Sequence, residues 1–376
     1  MSPHRQGTDL AAGRRIVVKV GSVLLVDEEQ GAIHREWLAA LAEDIADLRA
    51  RGAEVLLVSS GAIAVGRGPL GFGARVLKLE EKQAAAATGM IRLAHAYEEA
   101  LARHGLTVAQ VLLTLDDSED RRRYINARNT LTTLLRASAV PLINENDTVA
   151  TDEIRFGDND RLGARVAAMI SADTLVLLSD VDGLYTADPG RDSAATLVPE
   201  VREITPAIED MAGLARVGHG TGGMVTKLAA AKVAMGAGCR MVIADGKPLR
   251  PLARIADGVP CTWFLPPASP GAARKRWIAG TLKPAGAIVV DAGAVAALAA
   301  GKSLLPAGVV GVEGTFGRGE AVIIKTADGR ELGRGLCAYS AEDARRIMGH
   351  KTKDIENRLG YRGRDEMIHR DDLALG

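Results

Sequence analysis

The stretch Thr174-Leu-Val-Leu-Leu-Ser-Asp-Val-Asp-Gly-Leu-Tyr185 decides the fold class. It opens as a short apolar run without polar alternation and breaks abruptly into Ser179, Asp180, Asp182 and Gly183. Such a run, closed by turn residues, reads as a strand buried on both faces of a parallel sheet. Working outward, the same grammar recurs at 16–20, 54–58, 108–113, 140–143 and 240–244. Amphipathic segments at 35–50, 80–103, 118–137 and 161–171 lie between these runs. The βαβα order predicts an α/β fold, a three-layer α/β/α sandwich with a mainly parallel sheet covered by helices on both faces. In such sheets ligands bind beyond the carboxyl ends of the strands, which is where the polar turns fall here.

Composition bounds the rest. The 376 residues carry 47 Lys+Arg against 47 Asp+Glu, with 47% apolar and 3% aromatic residues. At about 100–200 residues per domain, this length predicts two domains. Zero net charge excludes a strongly polyanion-seeking protein, and the few aromatics argue against stacked-base recognition. Cys239, Cys261 and Cys337 are far apart and the seven histidines show no ligand spacing, so neither a disulfide framework nor a metal site is implied. No apolar run approaches the roughly 18 residues of a membrane span, and residues 1–15 lack the apolar stretch of a signal peptide. A soluble cytoplasmic protein is expected.

The pattern changes at 266–271 (PPASPG), followed by the basic triplet Arg274, Lys275 and Arg276. From Gly286 onward, short apolar runs separated by glycines predict a small β-rich domain. The expected organisation is a catalytic domain over 1–265, a linker over 266–284, and the β-rich domain with its tail over 285–376. Residues 271–376 carry 17 basic and 13 acidic side chains, a mild excess that argues against tight RNA affinity.

Two motifs mislead. Gly218-His-Gly-Thr-Gly-Gly223 matches GxGxxG, but the preceding segment at 206–217 reads as a helix, whereas a dinucleotide fingerprint needs a strand there. Gly301-Lys302-Ser303 resembles the end of a Walker A loop but has Ala296 where the first glycine belongs.

The chemistry-bearing residues follow the strands. Lys19 ends the first, with Gly21 and Ser22 just beyond, and a glycine there lets backbone N–H groups approach a phosphate. Ser60 and Gly61 make a second small-residue turn at the same edge. Asn144-Glu-Asn-Asp147 and Asp158-Asn159-Asp160 form a dense run of acids and amides suited to a polar ligand. Gly220-Thr221-Gly222-Gly223-Met224-Val225-Thr226-Lys227 opens a helix whose exposed N–H groups and positive dipole end suit a polyphosphate. Lys227 sits in the first turn, where a cation is disfavoured unless an anion lies nearby.

In this order the segments VVKVGS, VSSGAIAVG, LINENDTVAT, FGDNDRL, SDVDGLYTADP and GTGGMVTKL closely resemble the amino acid kinase family over nearly the whole chain. The tail from about Gly286 to Tyr361 resembles a PUA domain, and this appendage, with INEND and GDND, points to the branch that phosphorylates glutamate. Ser22 and Ser179 stand where many relatives have threonine, and both keep the hydroxyl. The resemblance implies transfer from ATP, with Mg²⁺, to the side-chain carboxylate of L-glutamate, giving L-glutamyl 5-phosphate, the first step of proline biosynthesis. It places Lys19 and Lys227 beside the transferred phosphoryl group, with Asp160 orienting both. Ser60, Asp147 and Asn159 would hold glutamate, with Asn144 and Asp158 nearby. Lys19, Gly21, Ser22, Ser179, Asp180, Thr221, Gly222, Gly223, Met224, Val225, Thr226 and Lys227 would bind the nucleotide, and Tyr185 borders the adenine or packs beneath its loop. It further implies a homo-oligomer, dimer or tetramer, with proline as feedback inhibitor and glutamyl phosphate reductase as a downstream partner. A carboxylate nucleophile is already ionised at neutral pH and needs no general base.

Overall fold

Valine, leucine and isoleucine fill the strand positions so densely that both faces of each central strand must be covered, and this dictates the architecture. The computed structural model describes residues 8–27, 31–149, 159–213, 223–280 and 283–375. The chain separates into two units, one of Met1–Glu119 with Asn126–Pro270, the other of Asp120–Ile125 with Gly271–Gly376.

The first unit is built on strands β1 (Arg15–Val20), β2 (Glu54–Ser59), β3 (Val108–Leu113), β4 (Val140–Glu145), β5 (Thr174–Ser179), β6 (Glu200–Val201), β7 (Arg240–Asp245) and β8 (Thr262–Phe264). Their order is β3-β4-β2-β1-β5-β7-β8-β6, and every pairing is parallel except β7 with β8. The six strands expected from the apolar runs are all present, and their ends agree to within two residues. The two unforeseen strands, β6 and β8, are two and three residues long, too short for a periodic signal.

In chain order the helices of the first 270 residues are α1 (Ser22–Leu25), α2 (Arg35–Ala50), α3 (Ala62–Arg67), α4 (Leu79–Ala102), α5 (Leu115–Glu119), α6 (Arg121–Arg136), α7 (Asn159–Met169), α8 (Pro206–Met211), α9 (Met224–Gly236) and α10 (Pro251–Asp257). Trp37, Leu41 and Ile45 of α2 and Leu93, Tyr97 and Leu101 of α4 cover one face of the sheet, against Val18, Val20, Val55, Leu57 and Val176. On the opposite face α7 packs on β1 and β5, and α9 on β7. Side chains alternate along β1, so Lys19 shares the α7 face with Val17. The single helix expected over 118–137 is instead α5 and α6. Asp120 divides them, its carboxylate capping the second through the Arg123 N–H at 2.8 Å. The helix expected over 206–217 is α8, with Thr205 as N-cap; residues 214–222, including most of the GxGxxG match, lie outside the described residues.

Helices α3 and α4 cross on two glycines. A Cβ at Gly66 would fall 1.8 Å from the Ala85 carbonyl oxygen, and one at Gly89 1.8 Å from that of Ala62. Only glycine permits that approach, and α3 starts directly after the Ser60–Gly61 turn.

The second unit contains a five-stranded sheet of β9 (Gly286–Val290), β10 (Val309–Gly314), β11 (Ala321–Thr326), β12 (Glu331–Leu336) and β13 (Leu373–Leu375), in the order β10-β9-β11-β12-β13. Helices α11 (Pro270–Gly280), α12 (Ala292–Ala299), α13 (Ala341–Ile347) and α14 (Ile355–Leu359) accompany it. Helix α11 falls within the stretch expected as a linker. Its Arg274 pairs with the nearly buried Asp372 at 2.6 Å. Gly301, at φ +72°, ends α12 in a left-handed turn, so the Walker-like Gly-Lys-Ser is a helix C-terminus.

Candidate active site

Strand register brings the polar turns to one edge. Lys19 lies opposite Val58 and Leu177, Val20 opposite Ser59 and Leu178, and Ser179 opposite Asp245. Strand β1 is the topological switch point: β2 was added on one side of it and β5 on the other. A Cβ at Gly21 would fall 4.0 Å from the Lys19 ammonium, so the turn after β1 runs close beside that charge. Gly61 adopts φ +97°, and a Cβ there would meet Val26 at 3.0 Å and Ser22 at 3.8 Å, which holds the turn after β2 against the one after β1.

At the centre is a charge triad. Asp160, in the first turn of α7, forms an ion pair with Lys19 Nζ at 2.7 Å through one carboxylate oxygen and accepts from Lys227 Nζ at 3.2 Å through the other. All three side chains are nearly buried, Asp160 with 1% exposure. Thr226 Oγ1 lies 3.3 Å from the second oxygen. Burial alone would push the Asp160 carboxyl up, but the two ammonium groups more than offset it and hold the carboxyl below its ordinary value. Gly163, one turn further along α7, packs against the Lys19 stem, and a Cβ there would stand in van der Waals contact, 3.4 Å from Lys19 Cβ. Two cations against one anion leave a net positive charge in a nearly dry site.

The glycine turn before α9 adds to it. Gly223 is the N-cap and supplies no side-chain acceptor, so Met224 and Val225 begin the helix with no side chain capping their N–H groups. The dipole end and Lys227 therefore point their positive charge to the same place. Thr221, Gly222 and Asp158 lie outside the described residues.

Beside the triad is a polar cluster organised on one backbone carbonyl. Ser59 O accepts from Asn144 Nδ2 at 2.8 Å and from Asn159 Nδ2 at 3.1 Å. Asn159 Nδ2 also donates to Ser60 Oγ at 2.7 Å, which leaves the Ser60 hydroxyl proton available to an acceptor. Asn159 Oδ1 is buried and has no hydrogen-bond partner among the described residues. Asp147, half-buried at the end of the β4 turn, faces no cation among the described residues, and loss of hydration pushes its carboxyl up to about 6. The cluster thus offers a hydroxyl proton on Ser60 and a carbonyl acceptor on Asn159, and Asp147 lies two residues beyond the end of β4.

Further along the edge, Ser179 Oγ donates to Asp180 Oδ1 at 3.0 Å, and these two side chains bond to each other rather than to the triad. Lys247, which belongs to none of the sequence motifs, donates its ammonium to the Asp180 carbonyl at 2.8 Å. Trp37 Nε1 donates to Gly246 O at 2.7 Å, and at the far end of that turn Arg250, at φ 58°, is held by Asp44 at 2.7 Å and Glu43 at 2.9 Å. No local pattern marks these contacts, because the partners are about 200 positions apart. Tyr185 donates to Asp182 Oδ2 at 3.0 Å and bridges Leu197.

The sequence matches known proteins. The amino acid kinase family profile aligns with residues 14–245, which span the whole triad. The chain belongs to the amino acid kinase family. A PUA domain profile aligns with residues 286–359 of the same chain. Among full-length members of the kinase family, the chain is 63% identical to glutamate 5-kinase of Paramagnetospirillum magneticum, over 97% of this chain and 99% of that one. It is 61% identical to glutamate 5-kinase of Dinoroseobacter shibae over the same shares. Carbamate kinase from Giardia lamblia, solved with AMP-PNP, superposes with a TM-score of 0.51 at 16% identity, over 68% of this chain and all of that one, a likeness of fold.

Proposed function

We propose that this amino acid kinase transfers the γ-phosphoryl group of ATP to the side-chain carboxylate of L-glutamate, forming L-glutamyl 5-phosphate, the first step of proline biosynthesis. The observation that carries the reading is the buried Lys19–Asp160–Lys227 triad, positively charged overall and next to the polar cluster of Ser60, Asn144 and Asn159. The reaction brings an anionic nucleophile to a more highly charged anion, so its main obstacle is electrostatic. Lys19, Lys227 and the α9 N-terminus offset that repulsion, and Asp160 fixes both ammonium groups before the reactants arrive, so little reorganisation is needed during transfer. The glutamate side chain supplies its own ionised nucleophile, and no residue has to remove a proton. Ser60 donates to a substrate carboxylate, while Asp147 and Asn159 Oδ1 accept from its α-ammonium. ATP enters as its magnesium complex. The ion would be held on the nucleotide phosphates and offset their charge there.

The finer partners belong to the same proposal. The enzyme works in the cytoplasm as a homo-oligomer, dimer or tetramer, and Val76 and Ile91, 92% and 75% exposed, give it apolar surface to bury. Proline competes for the glutamate pocket, and a glutamyl phosphate reductase consumes the product. ADP release with L-glutamate, N-acetyl-L-glutamate and L-aspartate in parallel tests the acceptor. Turnover with L-glutamate is expected, and little with N-acetylglutamate, which lacks the ammonium that Asp147 needs. Turnover with another acid alone would overturn the assignment.

A further inference from the structure

Beneath the acceptor pocket lies a buried hydroxyl relay that the reaction itself does not use. Tyr97 of α4 is fully buried, and its phenol oxygen is 3.2 Å from Ser59 Oγ. Ser59 Oγ is also 3.3 Å from the Ser60 carbonyl oxygen. The serine has one proton to give. If it went to the phenol, the tyrosine's own proton would have no acceptor among the described residues, an expensive state for a buried hydroxyl. With Tyr97 donating to Ser59 and Ser59 donating to the Ser60 carbonyl, every proton is placed. The relay then holds the Ser60–Gly61 peptide through the Ser60 carbonyl, while the amides of Asn144 and Asn159 hold the Ser59–Ser60 peptide through the Ser59 carbonyl.

We propose that Tyr97 is a positioning residue for the acceptor amino acid, acting through Ser59 on the two peptides that flank Ser60, the first of which anchors Asn159. The inference rests on the pocket assigned to glutamate above. Tyr97 touches neither Lys19, Asp160 nor Lys227 in the described contacts, and the nucleotide edge at Ser179–Asp180 is served by separate bonds. Its loss therefore disturbs one substrate and spares the other.

Steady-state kinetics of Tyr97→Phe, Ser59→Ala and the double variant test this. Tyr97→Phe should raise KM for glutamate roughly three- to tenfold, the effect of one neutral buried hydrogen bond, with KM for ATP unchanged within about twofold. The double variant should be no worse than the poorer single one, because both remove the same relay. An unchanged glutamate KM, a parallel rise for both substrates, or additive effects would overturn the proposal. Should Tyr97→Phe not fold, Ser59→Ala carries the test, and equal shifts in its two KM values would refute it. Absence of glutamate turnover in the wild-type enzyme would instead remove the underlying assignment, and this proposal with it.

Discussion

Replacing Asp147 by Asn should make the protein more stable and a poorer enzyme at once. The folded carboxyl is pushed up to about 6 by burial, against an ordinary 3.8. Between those values the folded chain holds more protons than the unfolded one, so stability falls as pH rises from about 4 to 6 and stays low above. The full gap corresponds to about 3 kcal/mol, and solvent screening of this half-buried side chain reduces it to about 1–2 kcal/mol. Asparagine escapes that cost. The variant's apparent melting temperature at pH 7.5 should rise by about 2–8 °C, and the gain should shrink as pH is lowered toward 4. The same substitution removes the charged acceptor for the substrate ammonium, worth about 1.5–3 kcal/mol, or roughly 10- to 100-fold in KM for glutamate. KM for ATP should not follow. In the wild type, glutamate affinity should weaken below about pH 6 as Asp147 takes up a proton, and the variant should lack that dependence. Differential scanning fluorimetry with an ADP-release assay from pH 5.5 to 8 measures both halves. A variant that melts lower at pH 7.5, or keeps its glutamate KM within twofold, would refute the reasoning.

Lys227→Ala should lower kcat by about 100-fold or more, since a donor aimed at the transferring group acts mainly in the transition state; an unchanged kcat would contradict its role. Asp160→Asn leaves Lys19 and Lys227 facing each other without their shared anion and should cost about 3–5 kcal/mol of stability, read as a lower melting temperature. Because the Asp160 carboxyl is held low, its contribution is lost only as pH falls below the unfolded value near 4, so this difference should be flat from pH 5 to 8. Gly89→Ala puts a methyl group against the Ala62 carbonyl and should cost about 3 kcal/mol, roughly 6–12 °C of melting temperature, with glutamate KM rising as α3 shifts the Ser60 turn.

The strands were legible because central parallel strands are buried on both faces, and a short continuous apolar run closed by turn residues fits little else. Lys227 stood out because a cation in a first helical turn is disfavoured unless an anion lies nearby, whereas Lys19 and Asp160 took their roles from the family resemblance. Strands as short as β6 and β8 leave no periodic trace. The α5–α6 break was readable only through the capping chemistry of Asp120, one polar residue among many in that stretch. What the residues could not disclose is long-range. The Ser59 carbonyl is shared by Asn144 and Asn159, which lie 85 and 100 positions away. Tyr97 looks like any core aromatic until its hydroxyl is seen against Ser59. Trp37 reaches the Gly246 carbonyl only because α2 and the β7–α10 turn are neighbours in space, and Lys247 reaches the Asp180 carbonyl because β5 pairs with β7.

The central claim is that the triad directs phosphoryl transfer to a carboxylate, and trapping the acyl phosphate tests it most directly. Purified protein would be incubated with ATP, Mg²⁺, L-glutamate and hydroxylamine, with Lys227→Ala in parallel. Stoichiometric glutamyl hydroxamate and ADP from the wild type, and almost none from the variant, is the expected result. ADP formed without hydroxamate, or hydroxamate formed equally well by Lys227→Ala, would contradict the account.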